Sequence, residues 1–114
     1  TDISEKFLSD GKKRFSSSYS CIQYQLCHLD IDLVTQKLNL YSFDVVCAFD
    51  VLHVAQDLQV SLNRLQQLLK PDGYLLAIEL TRPWTWIQLF FGLFSAWWHF
   101  TDTSIRSTCF MPGE

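Results

Sequence analysis

Two side chains that could carry acid–base chemistry stand at the ends of predicted strands. His53 lies four residues beyond the apolar run Phe43–Phe49, and Glu79 lies at the end of a second apolar run over residues 74–80. Histidine titrates near neutrality, and a neighbouring carboxylate can fix its tautomer and stabilise its protonated form. Ligands of open parallel sheets bind beyond the carboxyl ends of the strands. We therefore predict that His53 and Glu79 form a base and its orienting partner, against the plainer alternative of a helical histidine with a satisfied hydrogen bond.

Further carboxylates fall near the same predicted edge of the sheet. Asp50 directly follows the first apolar run, Asp30 and Asp32 follow a run of alternating polarity, and Asp2 precedes the first predicted helix. An acidic group in such a position can accept hydrogen bonds from a ribose diol. Asp2 could equally cap the helix, and Asp30 could be a solvated loop residue.

The elements that must position these residues follow from residue periodicity. Ser4 is a candidate N-cap for a helix over Glu5–Phe15, and alternation predicts a strand over 21–29. The leucines of 58–69 recur at helical spacing between the buried strands 43–49 and 74–80, and the turn residues 70–73 close that helix. Strand, helix and strand in this order predict a parallel βαβ unit with a right-handed crossover.

An aromatic-rich segment over 84–100 contains all four tryptophans of the chain. A membrane span is the alternative, because aromatic residues at both ends resemble an interfacial belt. The segment is short for a hydrocarbon layer of about 30 Å, and polar residues interrupt it. We predict a soluble helical lid over a substrate cleft rather than a membrane helix.

Composition limits the remaining possibilities. The chain of 114 residues suits one small domain. Its net charge of -3, with no basic cluster beyond Lys12, Lys13 and Arg14, argues against a nucleic-acid partner. Its four cysteines, which lack metal-ligand spacing, are expected to be reduced thiols of a cytoplasmic protein. The polar start without a methionine and the end at Glu114 suggest an internal fragment of a longer polypeptide.

Several stretches of the chain occur in a specific succession. They are TDISEKFL, HLDID, YSFDVVCAFDVLHVAQDL, LNRLQQLLKPDGYLLAIELTRPW and FGLFSAWWHFTD. In this succession the chain resembles the C-methyltransferase domains of polyketide synthases. The resemblance implies an α/β fold, a partial Rossmann-like class I methyltransferase fold with a mostly parallel sheet that lacks its first strands. Residues 1–83 would form the core part, and residues 84–114 the aromatic-rich helical lid and substrate region.

The resemblance also implies S-adenosylmethionine as cofactor and assigns its contacts. Asp2 corresponds to the acid that binds the cofactor ribose, and Asp30 to the acid that meets the adenine amine. Ile31 would lie against the adenine ring. Phe49 and Asp50 fall where the family lines the methionine part. No glycine-rich loop, which the family places near that part, occurs in this chain.

Catalytic roles follow from the same resemblance. His53 corresponds to the family's base and Glu79 to its orienting partner, since methylating a carbon between two carbonyls requires removal of a proton. The tryptophans Trp84, Trp97 and Trp98 would belong to the lid, more as packing residues than as specific substrate contacts.

The implied activity is methylation of the α-carbon of a β-ketoacyl thioester on an acyl carrier protein, within a multidomain synthase. Two alternatives stay open from the residues: an O- or N-methyltransferase of a small molecule, and a non-catalytic degenerate methyltransferase fragment with a structural role. Because the glycine-rich loop is missing, the chain by itself is expected to bind cofactor weakly and to be inactive.

Overall fold

The computed structural model describes residues 1–82 and 84–108. Within them the chain forms three α-helices, two β-strands and two short 3₁₀ turns. In chain order they are α1 (Glu5–Phe15), β1 (Phe43–Phe49), a 3₁₀ turn (Leu52–Val54), α2 (Leu58–Leu68), β2 (Leu69–Ile78), α3 (Thr85–Phe91) and a second 3₁₀ turn (Ser95–Trp98).

The two strands pair in parallel, with α2 as the connection between them. Val45 lies opposite Tyr74, and Phe49 lies opposite Ile78. The predicted βαβ unit is therefore present, as the expected partial class I methyltransferase fold requires. The predicted turn over 70–73 becomes an irregularity inside β2, because the register advances from Phe43 opposite Leu69 directly to Val45 opposite Tyr74.

The hydrophobic core lies between α2 and the sheet. Asp57 caps α2 by accepting a hydrogen bond from the Val60 N–H at 2.9 Å. The helix then turns its leucine face inward, as the spacing predicts. Leu52, which follows β1, is 1% exposed and belongs to the same cluster. The buried members of this core are Leu33, Ala48, Leu52, Leu58, Leu65 and Leu68.

The predicted strand over 21–29 does not form. That segment makes a single parallel bridge, between Leu26 and Asp2, supported by a hydrogen bond from the Cys27 N–H to the Asp2 carbonyl oxygen at 3.0 Å. The physical reason is the length of the partner segment. Ser4 already caps α1, so only the residues before it can be extended.

The predicted lid helix over 84–100 is also divided. The helical part, α3, ends at Phe91 with Gly92 at its C-cap, and Phe94 is extended before the second 3₁₀ turn begins. The break allows the aromatic residues of the turn to pack back against α3. Among the described residues, no helix has the length and apolar character needed to cross a membrane.

Candidate active site

The carboxyl ends of β1 and β2 bring His53 and Glu79 to the same edge of the sheet. The Asp50 N–H donates to the Ile78 carbonyl oxygen at 2.8 Å, so the ladder continues one residue past β1. Asp50 then adopts a left-handed conformation, with φ of 50°, and the chain enters the 3₁₀ turn Leu52–Val54. This turn holds His53 beside Glu79, the residue that immediately follows β2.

Glu79 supports both the turn and the imidazole. One carboxylate oxygen, Oε1, accepts hydrogen bonds from the Val51 N–H at 2.7 Å and the Leu52 N–H at 2.6 Å. The other, Oε2, lies 3.0 Å from Nδ1 of His53. The Glu79 side chain is only 5% exposed, so this carboxylate is shielded from solvent. The structure thus brings the predicted pair into contact, and its role in catalysis stays a prediction.

A second carboxylate faces the imidazole from the solvent side. Oδ1 of Asp50 lies 3.6 Å from Nδ1 of His53, and Asp50 itself is exposed. Potential metal ligands on Asp50, His53 and Glu79 lie within 4.8 Å of one another. Both Glu79 oxygens, however, are directed at hydrogen-bond donors of the turn and the ring, which is the geometry of an oriented acid–base pair.

Trp97 joins the site from the second 3₁₀ turn. Its ring centroid lies 6.2 Å from that of His53, and it stacks on Phe91 with centroids 5.4 Å apart and planes at 22°. Trp97 is 8% exposed. Trp98, the next residue, is exposed and donates its indole N–H to the Gly92 carbonyl oxygen, and Trp84 is also exposed. Of the three tryptophans assigned to the lid, Trp97 alone lines the cavity described next.

A cavity of about 1090 Å³ connects the predicted cofactor and catalytic residues. Its wall includes five of them, namely Asp2, Asp30, Phe49, Asp50 and His53. Glu79 lies behind His53 and is not part of the wall, and Ile31 is an exposed residue away from it. Apolar residues from the aromatic segment, among them Ile87, Phe91 and Phe94, close another part of the wall.

Asp2 and Asp30 each hold a backbone N–H in place. Oδ1 of Asp2 accepts from the Ser4 N–H at 2.8 Å, but the cap of α1 is Ser4, whose side chain accepts from the Phe7 N–H. Asp2 also lines the cavity. Oδ1 of Asp30 accepts from the Gln56 N–H at 2.9 Å, which ties the loop of Asp30 to the segment after His53. Oδ2 of Asp30 lies 3.9 Å from Nδ1 of His28, and the cofactor contacts of both acids stay predictions.

The described cysteines, Cys21, Cys27 and Cys47, form no disulfide. Cys27 lines the cavity, and burial raises the pKa of its thiol above the ordinary value. A protonated thiol is a weak nucleophile, so Cys27 contributes packing to this wall. Cys109 lies outside the described residues.

An ion pair that the sequence reasoning missed lies directly behind the His53 turn. Asp102 and Arg106 are 7% and 3% exposed, and the guanidinium Nη2 lies 2.7 Å from Oδ1 of Asp102. Burial acts to raise the pKa of Asp102, but hydrogen bonds from Arg106 and the Leu58 N–H outweigh it, and the net pKa lies below the ordinary value. The spacing of four residues between the two charges was the signal in the sequence.

Comparison with known proteins places these features in a wider group. A family model described as "Methyltransferase domain" matches residues 1–75. Non-reducing polyketide synthase nvfA of Aspergillus novofumigatus is 39% identical over 102 residues, which is 90% of this chain and 4% of the relative. Probable polyketide synthase 14 of Dictyostelium discoideum is 36% identical over 118 residues, covering 100% of this chain and 4% of the relative.

Solved structures show the same similarity in three dimensions. The DszA carbon methyltransferase superimposes with a TM-score of 0.89 at 32% identity, over 96% of this chain and 29% of that chain. The trans-methyltransferase CalH, crystallised in complex with SAH, gives a TM-score of 0.86 at 31% identity, over 97% of this chain and 31% of that chain. The chain thus spans about a third or less of the solved structures and a small part of the curated relatives.

Proposed function

The chain belongs to the methyltransferase domain family, and we propose that it acts in S-adenosylmethionine-dependent methylation during polyketide synthesis, on the α-carbon of a β-ketoacyl thioester carried by an acyl carrier protein. The names of the relatives support the setting, since nvfA and its counterpart in Dictyostelium are polyketide synthases. The similarity to DszA supports carbon as the methyl acceptor. Other domains of such a synthase would be its partners.

The observation that carries this proposal is the contact between His53, which lines the large cavity, and the shielded carboxylate of Glu79. Methyl transfer to oxygen or nitrogen can use a lone pair that the acceptor already has. A carbon between two carbonyls must first lose a proton, which requires a base within reach of the substrate. An imidazole held by a buried carboxylate is well suited to that task, because the carboxylate stabilises the imidazolium that forms.

The chemistry of the cavity wall fits the cofactor. Asp2 offers carboxylate oxygens to the ribose diol of the cofactor, and Asp30 offers them to its adenine amine. Phe49, in the same wall, offers an apolar surface. S-adenosylmethionine, when bound, supplies a methyl group on a positively charged sulfur. The carboxylate of Asp50 lies next to His53 and can favour a cation in the same space.

In the proposed mechanism His53 accepts the α-proton at Nε2, because Nδ1 faces Glu79. Glu79 holds the ring in the tautomer with the proton on Nδ1, which leaves Nε2 as the basic nitrogen. Phe91 and Trp97 give this part of the wall an apolar surface of two stacked rings. When substrate covers this surface, exclusion of water would strengthen the attraction between imidazolium and carboxylate and would protect the enolate from being protonated again.

The test is product analysis with the purified whole protein to which this chain belongs, which is the unaltered protein of all experiments below. It is supplied with S-adenosylmethionine and a β-ketoacyl pantetheine thioester as a mimic of the carrier-bound substrate. We expect a mass increase of one methyl group, placed on the α-carbon by fragmentation. The variant His53→Ala should abolish this product, while affinity for S-adenosylhomocysteine, measured by calorimetric titration, stays within about twofold.

Two results would contradict the proposal. A methyl group found on oxygen would assign the chain to O-methylation, and unchanged C-methylation by His53→Ala would remove the proposed base. A protein that binds S-adenosylhomocysteine but methylates no acceptor would favour the non-catalytic alternative.

A further inference from the structure

We propose that Arg106, held by Asp102, is a positioning residue for His53, an inference that rests on the function proposed above. The two charged residues lie in the segment after the second 3₁₀ turn, beyond the residues that the family model matches. They contact the backbone of the His53 turn and the N-terminus of α2, so they connect the aromatic segment to the catalytic turn.

The guanidinium of Arg106 contacts three backbone carbonyl oxygens, at His53 and in the two residues Ala55 and Gln56 that follow its turn. Nη1 donates to the His53 carbonyl oxygen at 2.9 Å, and Nη2 donates to the Ala55 carbonyl oxygen at 2.7 Å. A longer contact of 3.5 Å joins Nη2 to the Gln56 carbonyl oxygen. The peptide group of His53 is therefore fixed from its carbonyl side by Arg106, while Glu79 fixes the N–H groups that precede it and the ring.

Asp102 fixes the guanidinium in turn. Its Oδ1 accepts from Nε of Arg106 at 2.9 Å, and its Oδ2 accepts from the Leu58 N–H at 2.9 Å. The charged centre of Arg106 also lies 5.2 Å from the centre of the Phe100 ring. Leu58 is a buried member of the core, so the start of α2 is held in place. The ion pair therefore fixes the His53 turn relative to α2.

Stability alone is a weak reason for such a pair. Removing two charges from water is costly, and apolar residues of similar volume often replace a buried ion pair at little or no loss of stability. A planar guanidinium, by contrast, offers five N–H donors in fixed directions, which suits the simultaneous holding of several carbonyl oxygens. This geometry favours a role in placing the turn.

The same turn is held from the cofactor side. The Gln56 N–H donates to Asp30, and the Gln56 carbonyl oxygen accepts from the Thr101 N–H at 2.7 Å. The segment of His53 thus lies between a predicted cofactor residue and the Arg106 segment. A loss of the Arg106 contacts should leave cofactor binding in place, because the Asp30 contact does not involve the guanidinium, and should displace the imidazole from the substrate.

The first test is Arg106→Lys, which keeps the positive charge but loses the planar guanidinium with its N–H donors in fixed directions. A lysine ammonium cannot meet Asp102 and the carbonyl oxygens of His53 and Ala55 at once. Since a displacement of about 1 Å can cost about 100-fold in rate, we expect kcat for C-methylation to fall 10- to 100-fold. Affinity for S-adenosylhomocysteine and KM for the thioester should stay within about twofold. Arg14→Lys, at an exposed position of α1, is the matched control, and its kcat should equal that of the unaltered protein.

A second variant separates the effect of the ion pair on the position of His53 from its effect on the stability of the protein. The double variant Asp102→Leu with Arg106→Met removes both charges and keeps apolar volume, so its melting temperature should lie closer to that of the unaltered protein than that of Arg106→Met alone. Its kcat should nevertheless stay low, because the His53 carbonyl oxygen has lost its donor.

A third measurement isolates the proton transfer. Exchange of the α-protons of the β-keto thioester in D₂O, without S-adenosylmethionine and corrected for the protein-free rate, reports on the base alone. Arg106→Lys should lower this exchange by the same factor as kcat. A purely structural role would change the amount of folded protein, and not the exchange rate per folded molecule.

The outcomes are distinguishable from those that test the proposed function. An unaltered protein that methylates no β-keto thioester contradicts the proposed function itself. An active unaltered protein with a folded Arg106→Lys variant whose kcat and exchange rate stay within twofold overturns the positioning role alone. Loss of folding in both the lysine and the double variant would assign the pair to fold stability, and would overturn it as well.

Discussion

The substitution Glu79→Gln tests the orientation of His53 most directly, because it changes one atom of a shielded side chain. The amide oxygen of glutamine can still accept from the Val51 and Leu52 N–H groups, as Oε1 of Glu79 does. The amide nitrogen then takes the place of Oε2 and directs its N–H groups at Nδ1 of His53. A donor at that position forces Nδ1 to be an acceptor, and the ring proton moves to Nε2.

The size of the effect can be worked from the distance between Oε2 and Nδ1, which is 3.0 Å. At an effective dielectric of about 20, the attraction between the carboxylate and an imidazolium at that distance is about 5 kcal/mol, or about 10⁴-fold in rate. A comparable carboxylate-to-amide change in a serine protease, which leaves histidine in the wrong tautomer, costs about 10⁴-fold. Since solvent and Asp50 can take over part of the stabilisation, we expect kcat to fall about 10³- to 10⁴-fold.

The assay is single-turnover methylation of the β-ketoacyl pantetheine thioester, followed by mass spectrometry, with S-adenosylhomocysteine affinity and urea unfolding measured in parallel. Cofactor affinity should change by less than about threefold, and the free energy of unfolding by about 1–3 kcal/mol. Glu5→Gln, in the exposed first turn of α1, is the matched control. A folded Glu79→Gln variant that retains a tenth or more of the original kcat would refute the reasoning.

Two further predictions concern stability. The pKa of Asp102 is lower in the folded protein than its ordinary value. The stability that Asp102 contributes is therefore present above about pH 4 and is lost as the pH falls through the folded pKa. In urea unfolding at pH 7, the free energy of unfolding of the unaltered protein should exceed that of Asp102→Asn, and the difference should shrink below pH 4. In Gly73→Ala the new Cβ would lie 3.0 Å from the Lys70 and 3.2 Å from the Asp44 carbonyl oxygens, and we expect a loss of about 1–3 kcal/mol, seen as a lower urea midpoint. Gly11→Ala in α1 meets only the movable Tyr24 ring, at 3.3 Å, and should be neutral or stabilising; equal losses in both glycine variants would contradict this account.

Most of the central fold was predictable because its signals are local. The apolar run of β1, the leucine spacing of α2 and the carboxyl ends of two parallel strands together predicted that His53 and Glu79 would meet. Parallel strands joined by a helix must bring these ends to one edge of the sheet, so the contact follows from topology. The prediction of a strand over 21–29 was wrong, because alternation indicates an extended segment but does not supply a partner strand of matching length.

Trp97 and Trp98 show the limit of a local signal. The two residues are identical in type and adjacent, yet one lines the cavity beside His53 and the other is exposed. The break after Gly92 sets the direction of the 3₁₀ turn, and with it the residue that faces inward. Such a choice depends on packing against Phe91, which periodicity in the sequence does not contain.

The sequence by itself therefore determined the βαβ unit, the edge at which the chemistry lies and the pairing of an imidazole with a carboxylate. The tertiary structure alone decided that Glu79 also holds the N–H groups of the turn, and that a buried Arg106, 53 residues from His53 along the chain, holds its carbonyl oxygen. The physical reason is that periodicity reports which side of a single element is apolar. Hydrogen bonds between distant segments depend on where folding brings backbone groups that every residue has.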